Sequence, residues 1–234
     1  MRGVVKRRAQ GRSFVLQVPE LTITPGERVA LVGVSGCGKS TLLDLLALVI
    51  CPDRATEFRF QPPPGPGLDV AAAWAAGDQD RLARARGASL GYVLQTGGLL
   101  PFLSVHDNIA LTRRLLGLPR QGRVQALAAQ LGLAGHLGKR PDQLSVGERQ
   151  RVAIARAMAH QPAVVLADEP TASLDPLHAR QILQLFGDLV AQTGVTLVLA
   201  THDWPAVKDA GFRVLSFRLT EDPTGKAVVA QVKG

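Results

Sequence analysis

The sequence has few cysteines and few aromatic residues, and it contains no long apolar run. Of its 234 residues two are cysteines, Cys37 and Cys51, and 4% are aromatic. Two cysteines supply neither a disulfide framework nor the spacing of a metal site, which suits a reducing compartment. So few aromatics provide no stacking platform for single-stranded nucleic acid, and we expect no nucleic-acid partner. The most apolar stretch, residues 42–50, is interrupted by Asp44 and is far shorter than the ~20 residues that span a bilayer.

The chain is basic, with 27 lysines and arginines against 19 acidic residues and a formal charge of +8. Such a charge suits contact with anionic lipid headgroups or nucleic acid, but the arginines are scattered along the sequence. The first eight residues are basic and lack the apolar region of a signal peptide. We therefore expect any membrane association to be peripheral. The length and apolar content suit a single α/β domain with a substantial core.

The most informative segment is residues 33–40, which read G-V-S-G-C-G-K-S and fit the pattern G-x-x-x-x-G-K-[ST]. An apolar run at residues 28–32 predicts a buried strand before it, and residues 41–50 predict a helix after it. Glycines at these positions let backbone N–H groups surround a phosphate, and the helix N-terminus adds partial positive charge. Lys39 can reach the terminal phosphates, and the Ser40 hydroxyl can ligate Mg²⁺. The segment therefore predicts a nucleoside triphosphate site.

The remaining sequence alternates between strand and helix patterns. We predict a turn at residues 24–27, a surface loop at the proline-rich residues 61–67, and helices at residues 81–87 and 176–192. Predicted strands lie within residues 13–24 and at residues 89–94, 164–167, 195–199, 212–217 and 226–232. Residues 97–145 are rich in leucine without an obvious strand, which predicts a helical lobe inserted into the sheet. This alternation favours a largely parallel sheet covered on both faces.

Two carboxylates, Asp168 and Glu169, directly follow the predicted strand at residues 164–167. A strand end beside a phosphate loop is where Mg²⁺ is held, so Asp168 fits the metal side of the site. Side chains alternate along a strand, so Glu169 points elsewhere and can accept a proton from an attacking water. The alternative is that the two carboxylates only cap the strand end and have no chemical role. The phosphate loop makes this alternative the less favoured one.

Three further motifs follow in a fixed order. They are L-S-V-G-E at residues 144–148 before a helix with an apolar face at residues 149–157, S-L-D at residues 173–175, and T-H-D at residues 201–203. With these motifs the sequence resembles the nucleotide-binding subunit of ATP-binding-cassette (ABC) transporters over nearly its whole length. The resemblance implies an α/β fold: a P-loop NTPase core with a mainly parallel sheet, N-terminal antiparallel strands and an inserted helical subdomain. Within a single domain, 1–234, we expect the core at about 1–96 and 161–234 and the helical subdomain at about 97–160.

The resemblance also assigns roles in binding ATP and Mg²⁺. Glu169 would be the general base, and His202 would hold the γ-phosphate and the catalytic geometry. In a head-to-tail dimer with a second copy, Ser145 and Gly147 would contact the γ-phosphate of the opposite subunit, and Asp175 would communicate across the interface. The residues implied to hold the nucleotide phosphates are Gly33, Ser35, Gly36, Cys37, Gly38, Lys39, Ser40 and Thr41. The residues implied on the metal side are Ser40, Gln95 and Asp168, with Gln95 also sensing the membrane partner.

The chain departs from the family pattern at two places. Its signature reads L-S-V-G-E rather than the commonest L-S-G-G-Q, but Ser145 and Gly147 are retained, so we expect activity to survive. The aromatic that usually stacks on adenine has no clear match. Phe14 is the nearest aromatic, and Arg8 lies closer to the expected place and can stack through its guanidinium. Both candidates stay open.

Residues 80–95 and 99–105 are similar to the cassettes of lipoprotein-release, macrolide-export and cell-division type. We therefore expect a subunit on the cytoplasmic face of the inner or plasma membrane that drives a permease in export or extrusion. Importers of amino acids and methionine share much of this region, so an importer subunit is the alternative. Residues 96–118 are expected to receive the permease's coupling helix, with core packing an equal alternative for each leucine.

Two other classes are disfavoured. A soluble cassette ATPase that acts on DNA or ribosomes usually has two cassettes, a coiled-coil insertion or zinc-binding cysteines, and this sequence has one cassette, no heptads and no CxxC. A catalytically dead regulatory cassette conflicts with the joint presence of Lys39, Asp168, Glu169 and His202.

Overall fold

The computed structural model describes residues 1–8, 13–63, 65–119, 122–221 and 227–233. Its strands are β1 (Arg2–Arg8), β2 (Ser13–Glu20), β3 (Arg28–Val32), β4 (Arg59–Phe60), β5 (Leu68–Asp69), β6 (Leu90–Val93), β7 (Val164–Asp168), β8 (Thr196–Thr201), β9 (Arg213–Glu221) and β10 (Ala227–Lys233). Its helices are α1 (Lys39–Leu46), α2 (Val70–Ala75), α3 (Gln79–Ser89), α4 (Val105–Leu115), α5 (Arg123–Gln130), α6 (Val146–Met158), α7 (Pro176–Thr193) and α8 (Trp204–Asp209).

The central sheet has eight strands in the order β1-β2-β10-β9-β3-β8-β7-β6. The five strands from β9 to β6 run parallel, whereas β1 pairs antiparallel with β2 and β10 pairs antiparallel with β9. Every residue of β8 is buried, as expected for a central parallel strand covered on both faces. The expected α/β fold, with a mainly parallel sheet, N-terminal antiparallel strands and inserted helices, is confirmed.

Two apolar clusters cover the two faces of this sheet. Val29 and Leu31 of β3 belong to the cluster that includes α1, α2 and α3, while Ala30 and Val32 belong to the cluster that includes α4 to α7. Successive side chains of a strand point to opposite faces, so one apolar strand contributes to both cores. Among the described residues, no helix is both long enough and apolar enough to cross a membrane.

The predicted strands at residues 28–32, 89–94, 164–167, 195–199, 212–217 and 226–232 correspond to β3, β6, β7, β8, β9 and β10. The starting residue of the last one, Lys226, lies outside the described residues, as does Pro64 of the predicted loop at residues 61–67. That loop joins the short hairpin β4–β5, which the sequence did not predict. The helices at residues 81–87 and 176–192 correspond to α3 and α7, and the described part of residues 97–145 holds helices and no strand.

Three local predictions need correction. The helix predicted over residues 41–50 ends at Leu46. Leu48 has a left-handed backbone, with a φ of 58°, which turns the chain out of the helix while the Leu48 side chain stays fully buried. The strands predicted within residues 13–24 are one strand, β2. Its partner β1 was not predicted, since basic residues there mask a half-buried strand whose Val4 enters the core.

The packing of β6 on α6 leaves no room for a side chain at Gly91. A Cβ there would lie 2.3 Å from the Ala157 carbonyl oxygen and 3.0 Å from its carbon. Because backbone atoms cannot swing away, we expect Gly91→Ala to lower the free energy of unfolding by about 1–3 kcal/mol. The measurement is denaturant-induced unfolding followed by circular dichroism.

Gly87 in α3 provides the matched control for this substitution. Its Cβ would meet only the Leu116 side chain, at 3.6 Å, and alanine is favoured over glycine in a helix by about 1 kcal/mol. We therefore expect Gly87→Ala to stabilise the protein. Equal stability of Gly91→Ala and the parent chain would show that the close β6–α6 approach is not present.

Candidate nucleotide site

The phosphate loop lies between β3 and α1. Gly36 and Gly38 have φ angles of 77° and 101°, and Gly38 is the N-cap of α1. No side chain caps this helix and its first turn has no acidic residue. The first N–H groups of the helix are therefore available to an anion in the loop. The Lys39 ammonium donates to the carbonyl oxygens of Gly33, at 2.8 Å, and Val34, at 3.2 Å. The backbone thus forms a cradle for an anion.

Asp168 ends β7 beside this loop. Its carboxyl group hydrogen-bonds with the Ser40 hydroxyl, and burial raises its pKa above the ordinary value. Within the described part of the chain its Oδ1 atom is buried and has no hydrogen-bond partner. A buried carboxylate oxygen without a donor, next to a hydroxyl oxygen, suits a small hard cation that also takes phosphate and water ligands.

Glu169 follows β7 and contacts α1, β8 and the residue after β8. Its backbone N–H donates to Ala200 of β8 at 2.9 Å, while its carboxylate lies 3.2 Å from the Lys39 ammonium and 2.7 Å from His202 Nδ1. The backbone of Glu169 is left-handed, with a φ of 45°, so the alternation of an extended strand does not apply at this residue.

These residues surround a cleft of about 360 Å³. The predicted site residues that line it are Ser35, Gly36, Gly38, Lys39, Ser40, Thr41, Gln95 and Glu169. Asp168 and His202 join them through Ser40 and Glu169. The Cys37 side chain is 1% exposed and does not line the cleft, although its backbone belongs to the loop. Gly33 contributes its carbonyl to Lys39.

Arg8 and Phe14, the two residues left open for base stacking, both line the same cleft. The Phe14 ring lies under the phosphate loop, because a Cβ at Gly38 would be 2.8 Å from its Cζ atom. The Arg8 guanidinium is 2.7 Å from a carboxylate oxygen of Asp44 in α1. This ion pair was not predicted, since nothing local in the sequence joins residues 36 positions apart.

Ser145 and Gly147 do not line the cleft of their own chain. Ser145 is the N-cap of α6: its hydroxyl accepts from the Glu148 N–H, and the Glu148 carboxylate accepts from the Ser145 N–H. The hydrogen bonds with Ser145 hold the pKa of the Glu148 carboxyl group below its ordinary value. Glu148 also lies 2.9 Å from His136 Nε2. The S-x-x-E spacing is a capping-box signal, but only the tertiary structure shows the histidine.

Asp175 has a comparable local role at the start of α7. Its carboxylate accepts from the N–H groups of Leu177 and His178, at 3.1 and 3.2 Å. The bonds to His178 lower the pKa of this carboxyl group.

The sheet, the phosphate loop and the carboxylates after β7 define a P-loop nucleotide-binding α/β protein. The family model described as ABC transporter matches residues 16–172, and the chain therefore belongs to that family. It is an ABC transporter ATPase cassette, which confirms the family resemblance of its motifs.

Curated relatives cover most of this chain. It is 39% identical over 232 residues to the lipoprotein-releasing system ATP-binding protein LolD 1 of Rhodospirillum rubrum, covering 97% of this chain and 96% of that protein. It is 39% identical over 221 residues to the macrolide export ATP-binding/permease protein MacB of Chromobacterium violaceum, covering 92% of this chain and 32% of that one. The chain thus spans about a third of the MacB length.

The similar solved structures include the ATP-binding cassette MJ0796, a dimer in a post-hydrolysis state bound to ADP and Pi. The TM-score is 0.74 at 30% identity, with 92% of each chain covered.

The two cysteines are expected to differ in reactivity. Cys37 is buried and its burial raises the pKa of the thiol, whereas Cys51 is exposed. Since the thiolate is the reactive form, we expect iodoacetamide at pH 7.5 to modify Cys51 about ten-fold faster or more, measured by mass spectrometry over time. In Cys51→Ser only slow labelling should remain. Equal rates at both thiols would contradict the placement of the Cys37 side chain.

Proposed function

We propose that the chain binds ATP and Mg²⁺, dimerises on ATP, hydrolyses it, and thereby drives a membrane permease in export or extrusion. The observation that carries this proposal is the convergence of Lys39, Asp168, Glu169 and His202 at one cleft. We further propose the division expected from the sequence, a core at about 1–96 and 161–234 and a helical subdomain at about 97–160.

The described residues hold the parts of the nucleotide in different ways. The loop N–H groups and Lys39 would hold the phosphates, with Arg8 or Phe14 beside the base. Ser40 and Asp168, with Gln95 on the wall of the same cleft, would hold Mg²⁺, which neutralises phosphate charge. The unpartnered Oδ1 of Asp168 and the hydroxyl of Ser40 fit this ion.

The Lys39–Glu169 ion pair connects binding to chemistry. A γ-phosphate is more highly charged than a carboxylate and would draw the Lys39 ammonium away from Glu169. The Glu169 carboxylate would then keep only His202 as a close partner, 2.7 Å away. A carboxylate at this position without a cationic partner can accept the proton of a water that attacks the γ-phosphate. His202 would orient that carboxylate.

A second copy of the chain would complete each site. Ser145 and Gly147 lie at the N-terminus of α6, outside their own cleft, and a partner's nucleotide would meet the positive end of that helix. Hydrolysis removes the shared anion, so the dimer would open. This converts a chemical step into a movement.

The membrane partner is supported by the relatives named for lipoprotein release and macrolide export. Within residues 96–118, Val105 and Ile109 are fully buried, whereas Phe102 is 68% exposed. We propose that Phe102 and the exposed Leu94 contact a permease at the cytoplasmic face of the membrane, where ATP is supplied.

The general-base role of Glu169 predicts a specific trapping behaviour. Glu169→Gln keeps the shape of the side chain but removes the base, so we expect turnover to fall by about 100-fold or more while an ATP-bound dimer accumulates. Phosphate release measures the first effect, and sedimentation velocity with ATP measures the second.

Glu20→Gln is the matched control, because the Glu20 carboxylate pairs with Arg2 at the exposed edge of the sheet. It should hydrolyse ATP like the parent chain. Hydrolysis by Glu169→Gln at the parent rate would refute the base assignment, and a monomer that persists with ATP would refute the dimer.

The export proposal predicts the kind of partner that remains bound. Tagged Glu169→Gln, incubated with ATP and detergent-solubilised membranes of the host cell, should retain a permease with few spans and a large extracytoplasmic domain, identified by mass spectrometry. Phe102→Asp should reduce that recovery without reducing ATP-driven dimerisation. An importer-type permease would reverse the proposed direction, and recovery of ribosomes or DNA alone would overturn the transport function.

A further inference from the structure

Helix α6 lies along the segment that carries Gln95, and glycines form the contact. The close approach at Gly91 of β6, described above, is followed past the strand end by an ordinary van der Waals contact at Gly97. A Cβ at Gly97 would lie 3.6 Å from the Ala153 Cβ and 3.8 Å from the Gln150 side-chain oxygen. The strand and the loop that follows it therefore rest directly on α6 over about two turns, from Gln150 to Ala157.

One side chain of α6 fastens this loop. Arg156 donates from Nη1 to the Gly98 carbonyl and from Nη2 to the Gly97 carbonyl, both at 2.8 Å. The φ angles of 73° at Gly97 and 57° at Gly98 belong to the left-handed region, which allows the carbonyls to face the helix. Because a guanidinium presents its donors in a rigid plane, this two-bond contact fixes both position and angle.

Arg156 has no acidic partner among the ion pairs of the described residues. Its side chain is partly buried and desolvation lowers the pKa of its guanidinium. A buried cation without a carboxylate is costly unless its donors are used, so the two carbonyl bonds are what balances its desolvation. Moving the loop away from α6 would leave this charge without partners.

The loop is also fixed at its far end. Asn108 of α4 is fully buried. Its side-chain oxygen accepts a hydrogen bond from the Leu100 N–H at 2.9 Å. Its side-chain nitrogen donates to the carbonyl oxygens of Leu100, at 3.1 Å, and Leu103, at 3.2 Å. The chain from Gln95 to α4 is therefore held to the helical lobe at two places and can move only with that lobe.

Gln95 itself stands between two cavities. It lines the nucleotide cleft, and it also lines a cavity of about 250 Å³ whose other walls include Val146 and Gln150 of α6 and Ser173. Gln150 is almost fully buried, and its amide nitrogen has no partner among the described residues. This second cavity thus lies between Gln95 and the N-terminal end of α6.

We propose that Arg156 is a positioning residue that couples the occupation of the nucleotide cleft at Gln95 to the placement of Ser145 and Gly147 against the partner's nucleotide. This inference rests on the proposed ATP-driven dimer. The displacement of Gln95 by nucleotide is passed through Gly97 and Gly98 to α6 as one rigid unit. Without the Arg156 contact, each chain would bind ATP in its own cleft normally. That binding would no longer align the Ser145 end of α6 with the partner's nucleotide.

The test uses the full chain carrying Glu169→Gln and measures two quantities. A fluorescent ATP analogue reports binding to the monomer, and sedimentation velocity reports ATP-driven dimerisation. With Arg156→Met added, we expect monomer affinity to be unchanged and dimerisation to weaken by between about 5-fold and 150-fold, the usual range for coupling between sites. Arg156→Lys keeps the charge but not the fork, and should give an intermediate loss.

Arg113→Met is the matched control. Arg113 also donates to two backbone carbonyls in the helical lobe, of Ala159 and Pro119, at 2.9 and 2.6 Å, but it does not contact the loop after Gln95. Its removal should lower the melting temperature as much as Arg156→Met does and leave dimerisation unchanged. An equal loss of dimerisation in both variants would mean that lost stability, not coupling, is the cause, and would overturn the inference.

A double-mutant cycle with Gln95→Ala separates coupling from a structural effect. If Arg156 acts through Gln95, Gln95→Ala with Arg156→Met should weaken dimerisation no more than the stronger single substitution. Additive losses would overturn the inference. If Glu169→Gln alone does not dimerise with ATP, the proposed function is refuted. If Glu169→Gln dimerises equally well with and without the added Arg156→Met, only this inference is refuted.

Discussion

The parallel direction of four neighbouring strands is the constraint on which the site depends. The phosphate loop follows β3, Gln95 follows β6, Asp168 ends β7 with Glu169 directly after it, and His202 follows β8. Parallel strands end at the same edge of a sheet, so four segments that are far apart in sequence deliver their side chains to one cleft. Glu169 joins three of them through Lys39, Ala200 and His202. Its left-handed backbone is the strained point at which this arrangement is held.

Burial and charge oppose each other at that edge. Lys39 is 6% exposed, and its partners are two carbonyls and one carboxylate. Asp168 keeps one buried oxygen without a donor in the described part of the chain. A buried ammonium and a buried carboxylate oxygen are each expensive to desolvate. The nucleotide phosphates and Mg²⁺ of the proposed complex would give each of them a partner of opposite charge.

Helix α6 contacts β6 and the loop that carries Gln95. Its first residues form the capping box of Ser145 and Glu148, its middle supports Gly97, and Arg156 and Ala157 hold the loop and β6. The charge of Glu148, unusual at this position of the signature, is used within the chain by the Ser145 N–H and His136. A substitution that looks disruptive in the motif is therefore accommodated locally, which agrees with the expectation that activity survives.

The sequence alone determined the parallel strands, the phosphate loop and the order of the motifs, because each depends on residues adjacent in the chain: apolar runs, glycine spacing and the residues that follow them. It also determined Ser40, Asp168, Glu169 and His202 as a group, through the family resemblance. Only the tertiary structure decided the pairing of Lys39 with Glu169, of Arg8 with Asp44 and of His136 with Glu148, and the fork of Arg156 on Gly97 and Gly98. These contacts join residues that packing brings together, and no local pattern encodes a distance between two distant side chains.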